Sequence, residues 1–110
     1  MTARRSGWIV NVCSDVSKRV FPGGGAYCAS KFAQYALSLA LGAEGRQHGI
    51  RVGAVLPGVV GTELAGAKPA DRAEWVLRPA DVAEAVLFMA TRPPHAVIDE
   101  ITVHPVRQEY

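Results

Sequence analysis

The pattern of apolar and polar positions changes period repeatedly along the chain, and each change marks an element. Residues 8–13 (WIVNVC) are β-rich and almost continuously apolar, as expected of a strand covered on both faces. Residues 15–25 carry Asp, Ser, Lys and Arg and end in Pro22-Gly23-Gly24-Gly25, which reads as a loop. From Ala26 to about Gln47 there is no proline, and Ala29, Phe32, Ala36, Leu39 and Ala43 recur at steps of three and four. Leu37, Ala40 and Leu41 widen that stripe to most of the circumference. A helix of this kind is either buried or faces a core on one side and a partner subunit on the other. His48-Gly49 closes it, with glycine at the position where a helix commonly ends. Ile50 to Leu56 reads as a second strand, ended by Pro57-Gly58. Residues 58–77 contain Gly58, Gly61, Gly66 and Pro69 and are expected to form a mobile loop with short helical turns. Pro79 then suits a first helical position, with Asp81 in the first turn. Val82, Val86 and Met89, with Ala83, Leu87 and Ala90, make an amphipathic helix that Pro93-Pro94 stops, and residues 98–104 read as a third strand ended by Pro105.

The order β-α-β-α-β argues for an α/β fold with a parallel sheet and right-handed crossovers. At 110 residues the chain is one domain at most, and its 49% hydrophobic and 20% charged content is that of a globular protein rather than a disordered one. The net charge of +2, spread along the chain, gives no electrostatic case for nucleic acid or an acidic membrane surface. No apolar run approaches the length of a membrane span, and residues 1–7 lack the apolar stretch of a secretory signal or the pattern of a transit peptide. Cys13 and Cys28 form neither a CxxC nor a zinc spacing, so they are expected to be reduced, buried thiols of a cytoplasmic protein, and no metal site is expected.

Three features fall at comparable places in that order. Ser14 follows the first strand, Tyr27 and Lys31 stand one turn apart at the start of the long helix, and Pro57-Gly58-Val59-Val60-Gly61-Thr62 follows the second strand. All three belong to the carboxyl ends of strands or the segments leaving them, where open α/β sheets bind ligands. At i, i+4 the tyrosine and lysine share one helix face. A free tyrosine gives up its proton only near pH 10. An ammonium about 5 Å away, at an effective dielectric of about 20, favours the phenolate by roughly 3 kcal/mol, which suits an acid/base group. A serine hydroxyl can hold a carbonyl or alkoxide oxygen against that tyrosine. With three tyrosines and three lysines, roughly 0.08 Tyr-x-x-x-Lys pairs arise by chance, and requiring a serine 13 positions earlier lowers this to roughly 0.004.

Ile9-Val10-Asn11-Val12-Cys13-Ser14, Tyr27-Cys28-Ala29-Ser30-Lys31, Gly49-Ile50-Arg51-Val52 and Pro57-Gly58-Val59-Val60-Gly61-Thr62 together resemble the second half of a short-chain dehydrogenase/reductase. The resemblance runs from about Ser6 to Gln108. It implies the C-terminal half of a Rossmann-like, doubly wound parallel sheet, so that residues 1–110 form a partial NAD(P)-binding domain. It implies hydride transfer between a nicotinamide cofactor and a small alcohol or carbonyl substrate. By that likeness Tyr27 is the general acid/base, Lys31 lowers the proton affinity of Tyr27 and binds the nicotinamide ribose, and Ser14 stabilises the reacting oxygen. Pro57, Gly58, Val60 and Thr62 hold the nicotinamide carboxamide. The stretches Arg78–Ala83 and Glu100–Pro105 are similar to a branch with NADP-dependent hydroxy-acid dehydrogenases, so NADP is preferred over NAD. The buried-looking helix 26–47 suggests a homo-oligomer, as is usual in the family.

Other motifs are read more plainly. Cys13 stands where the family commonly has a second serine and is expected to pack rather than react. His48, His95 and His104 are expected at the surface, and Gly23-Gly24-Gly25 is a flexible turn because it lacks the phosphate-loop pattern. Arg4-Arg5 and Lys18-Arg19 are expected to be solvated charges, and Trp75 to pack or to line the substrate side of the loop. The family's Gly-rich turn, ribose-reading position, Asn-Ala-Gly stretch and catalytic asparagine would all precede this segment, and Asn11, inside the first strand, is not that asparagine. The chain is therefore expected to be a fragment or to begin at an internal methionine. The competing reading is a non-catalytic remnant that binds or assembles through its long helix.

Overall fold

The computed structural model describes residues 1–65 and 75–109. Strands β1 (Gly7–Val12), β2 (Ile50–Pro57) and β3 (Glu100–Val103) form one parallel sheet in the order β1-β2-β3. Parallel neighbours cannot be joined by a tight turn. The crossovers are made by α1 (Gly25–Gly45), between β1 and β2, and by the segment carrying α2 (Pro79–Ala90), between β2 and β3. The register runs from Gly7 opposite Ile50 to Val12 opposite Val55, and from Ala54 opposite Glu100 to Pro57 opposite Val103. This is the α/β order that the hydrophobic pattern predicts.

The central strand supplies the core. Residues 52–57 are all buried, and Ala54, Val55 and Leu56 expose no surface. Side chains alternate across a strand, so the two helices cover opposite faces. Ala54 and Leu56 cluster with Cys13 against Tyr35 of α1. Gly53 faces Met89 of α2, where a Cβ would lie 2.4 Å from the Met89 side chain and 2.4 Å from the Ile98 carbonyl. Two hydrogen bonds fasten β1 to both layers: Asn11 Nδ2 donates to Ser38 Oγ of α1 at 2.9 Å, and Trp8 Nε1 donates to the Met89 carbonyl at 3.1 Å.

The helix ends follow from local chemistry. Arg46–His48 continue α1 as a 3₁₀ turn, and Gly49 ends it at φ +68°, where a Cβ would meet the Arg5 carbonyl at 2.3 Å. Pro79 opens α2, and the Asp81 carboxylate accepts the Arg78 backbone N–H at 2.8 Å.

Four expectations are adjusted. The third strand is shorter than 98–104, because its ladder with β2 ends at Pro57. Helix α1 is not buried all round: Cys28, Ser38 and Gly45 are buried, whereas Phe32, Leu37 and Leu39 are exposed. Lys18 is not a free solvated charge, since it pairs with Glu100 at 2.6 Å. The segment after β2 is tied back where Val60 bridges Leu77, and Glu63–Ala65 form the expected short helical turn. The rest of the predicted mobile loop, 66–74, lies outside the described residues. His95 and His104 are exposed, and His48 is half-buried. Cys13 and Cys28 are free and buried, as expected.

Candidate active site

An open cleft of about 1110 Å³ lies at the carboxyl ends of β1 and β2. Ser14, Tyr27, Lys31, Pro57, Gly58, Val60 and Thr62 all line it, so every site residue singled out in the sequence reaches one cavity. Cys13, Asp15, Arg19, Phe21, Trp75 and Gln108 line it as well. Trp75 is therefore on the cleft side of its loop.

Each wall has a local cause. Ser14 follows β1 in extended conformation (φ −164°, ψ 159°) and caps the 3₁₀ turn Asp15–Ser17, its Oγ accepting the Val16 N–H at 3.4 Å. The same hydroxyl donates to Asp15 Oδ1 at 3.2 Å, and the residue is nearly buried. Tyr27 and Lys31 stand in the first two turns of α1, brought over the strand ends by the glycine turn that starts the helix. Gly23 has φ +79°, a conformation that favours glycine, and a Cβ on Gly24 would strike the Phe21 ring. Tyr27 is 43% exposed and opens to the cleft, and Lys31 Nζ lies 6.0 Å from the centre of its ring.

Lys31 is held from behind. Its Nζ donates to Gln34 Oε1 at 3.0 Å, and Gln34 Nε2 donates to the Val12 carbonyl at 3.3 Å, which ties the ammonium to the end of β1. Across the cleft, Pro57 ends β2 and the Gly58 N–H donates to the Val103 carbonyl at 2.8 Å. Gly61 N–H donates to the Leu77 carbonyl and Leu77 N–H to the Val59 carbonyl.

Cys13 lies at the floor of the β1 wall, and it is buried. Burial pushes its thiol above the ordinary value, against smaller lowering effects of the Ser38 hydrogen bond and the Lys31 charge. The thiol form suits the packing role expected for it, and no histidine lines the cleft.

Sequence reasoning missed Gln34, Asp15 and Gln108. Gln34 could have been found, because it lies one turn after Lys31 on the same helix face. Asp15 and Gln108 stand 93 positions apart and meet only through the fold.

Comparison with known proteins agrees with this geometry. Residues 1–73 match the family model described as short chain dehydrogenase. The chain is 37% identical over 114 residues to a glycine betaine reductase of Emericella nidulans, covering 96% of this chain and 9% of that protein. It is 36% identical over 107 residues to an uncharacterized oxidoreductase of Staphylococcus aureus (strain USA300), covering 96% of this chain and 46% of the relative. Among solved structures, the closed form of a serine dehydrogenase complexed with NADP+ superposes with a TM-score of 0.90 at 32% identity, over 100% of this chain and 48% of that one. The chain belongs to the short-chain dehydrogenase family, with the Rossmann-like parallel sheet of that family. It spans about half the length of the staphylococcal relative and of the serine dehydrogenase.

Proposed function

We propose that this chain carries the catalytic half of an NAD(P)-dependent oxidoreductase that interconverts a small alcohol and its carbonyl. The observation that carries this reading is the convergence of Ser14, Tyr27, Lys31 and the segment 57–62 on one cleft at the strand ends. A bound nicotinamide would supply or accept the hydride. Lys31 would hold the ribose hydroxyls, and Pro57, Gly58, Val60 and Thr62 the carboxamide. The apolar Pro57 and Val60 surfaces in the cleft wall fit one face of a flat ring. Tyr27, at the cleft surface, would give its phenolic proton to the substrate oxygen in reduction and take it back in oxidation. The Ser14 hydroxyl, which donates to Asp15 here, would turn its O–H about the Cβ–Oγ bond to donate to the substrate oxygen instead. NADP is preferred, in line with the NADP+ of the serine dehydrogenase structure. The two free, buried cysteines support a cytoplasmic setting.

A second reading, a non-catalytic assembly module, is favoured by the exposed Phe32, Leu37 and Leu39 of α1. The second reading expects no turnover from the unaltered chain, and within the first one substitution tests the acid/base. Tyr27→Phe removes the exchangeable proton and little else, so turnover should fall by about 10²- to 10⁴-fold with cofactor affinity nearly unchanged. Near-normal turnover in that variant would defeat the assignment of Tyr27 as the acid/base.

A further inference from the structure

The two walls of the cleft are joined at one point. The Gln108 carboxamide, close to the end of the chain, lies between them and bonds to both. Its Oε1 accepts the Val59 backbone N–H at 2.9 Å, on the segment leaving β2. Its Nε2 donates to Asp15 Oδ2 at 2.5 Å, on the turn leaving β1. The other oxygen of that carboxylate accepts the Val16 N–H at 2.8 Å and the Ser14 hydroxyl at 3.2 Å. Asp15 is only 6% exposed, so its carboxylate depends on these donors to offset the loss of hydration.

The fit of Gln108 is built into the neighbouring backbone. A Cβ on Gly58 would lie 2.1 Å from Gln108 Oε1 and 2.8 Å from the His104 Cβ. The φ of Gly58 is not in the left-handed region, so the glycine is required here for space rather than for conformation. Gln108 is itself placed by its N–H, which donates to the Pro105 carbonyl at 3.0 Å in the turn after β3. The clasp therefore draws on all three strand ends at once.

We propose that Gln108 is a positioning residue that sets the distance between the Ser14 wall and the 57–62 wall. This rests on the reading that Ser14 and the 57–62 segment serve one reaction. Gln108 does not act on the substrate in this account. It fixes the Val59 amide, next to the proposed carboxamide site at Val60, and it saturates one oxygen of Asp15. With that oxygen occupied, the Ser14 hydroxyl competes only for the other and is presented at a set angle to the cleft.

The test compares Gln108→Ala, Gln108→Glu and the unaltered full chain by hydrogen exchange and steady-state kinetics. Glutamate keeps an acceptor for the Val59 N–H but sets a carboxylate where the donor to Asp15 stood. In Gln108→Ala the Val59 amide should exchange about tenfold faster, the amides of Val52–Leu56 serving as an internal measure of intact fold. kcat should fall about tenfold with KM for the alcohol unchanged, the pattern of a lost transition-state arrangement. In Gln108→Glu the Val59 protection should return in part while kcat stays low. Gly58→Ala, which leaves no room for the carboxamide, should reproduce the fast Val59 exchange. Unchanged Val59 exchange in Gln108→Ala overturns the clasp. Fast exchange with normal kcat overturns its role in the reaction. Failure of the oxidoreductase reading shows elsewhere, as the absence of turnover in the unaltered full chain with its Val59 protection intact.

Discussion

Leu56 exposes no surface, sits in the middle strand and touches the layer under α1. Its truncation leaves a void that the close-packed sheet cannot refill. Leu56→Ala should cost about 2–5 kcal/mol, a large part of the total stability of so small a unit, and urea unfolding would register it as a lower midpoint at unchanged slope. At the same scale, sequence alone conveyed that Tyr27 and Lys31 stand side by side at the cleft, since the helical period places i and i+4 together. It did not convey Asp15 with Gln108. No periodicity links residues joined by two crossovers, and a glutamine near a chain end has no chemical signature of its own. Lys18 shows the same blindness in reverse. It reads as a loop charge, yet the fold carries Glu100 of β3 to within 2.6 Å of it.

At the level of elements, Lys18, Glu100 and Tyr35 knit the loop after β1, the start of β3 and the middle of α1 together. Tyr35 donates its hydroxyl to Glu100, and the Lys18 ammonium lies 5.1 Å from the Tyr35 ring centre. The Lys18 hydrogen bond, and then that of Tyr35, hold the Glu100 carboxyl below its ordinary value. The same carboxylate raises the proton affinity of Lys18 and Tyr35 above their ordinary values. The depressed Glu100 contributes stability that is present above the ordinary carboxylate range and is lost as pH falls through the folded value. Raised Lys18 and Tyr35 contribute stability that is present below their ordinary values of 10.5 and 10.0 and is lost as pH climbs past them. Thermal unfolding followed against pH should show this plateau with both shoulders, and Glu100→Gln should flatten both. The Lys18 and Glu100 side chains are 44% and 35% exposed, so the plateau should be low and should shrink in added salt. The elements themselves were legible because their signals are local. Pro79 and Asp81 mark the start of α2, and Gly49 marks the end of the first helical stretch. The length of β3 was not, since a strand extends only as far as its neighbour offers rungs.

For the whole molecule, β1 is an outer strand that among the described residues has β2 alone beside it, and α1 presents Phe32 and Leu39, seven residues apart and therefore on one stripe. Unpaired strand edges and exposed apolar stripes both promote association. Sedimentation of the purified chain should show concentration-dependent self-association, and Leu39→Glu should move it toward monomer. A monomer at all concentrations would remove oligomer formation through α1 from consideration. The apolar excess of that helix was plain in the sequence. Which side met the sheet was not, because Ser38, a polar residue, turned out to mark the buried face through its bond to Asn11.

The parallel ladder also governs how the chain reaches this structure. One ladder joins residue 7 to residue 50 and the other joins 54 to 100, and no hairpin exists among these strands. Nothing in the sheet can zip from a nearby turn. Each ladder must wait for a long loop to close, at an entropic cost that comes before any strand contact repays it. Early order should therefore be helical, with α1 present before the sheet. A truncation after α1 should leave a partly helical chain in which no strand forms.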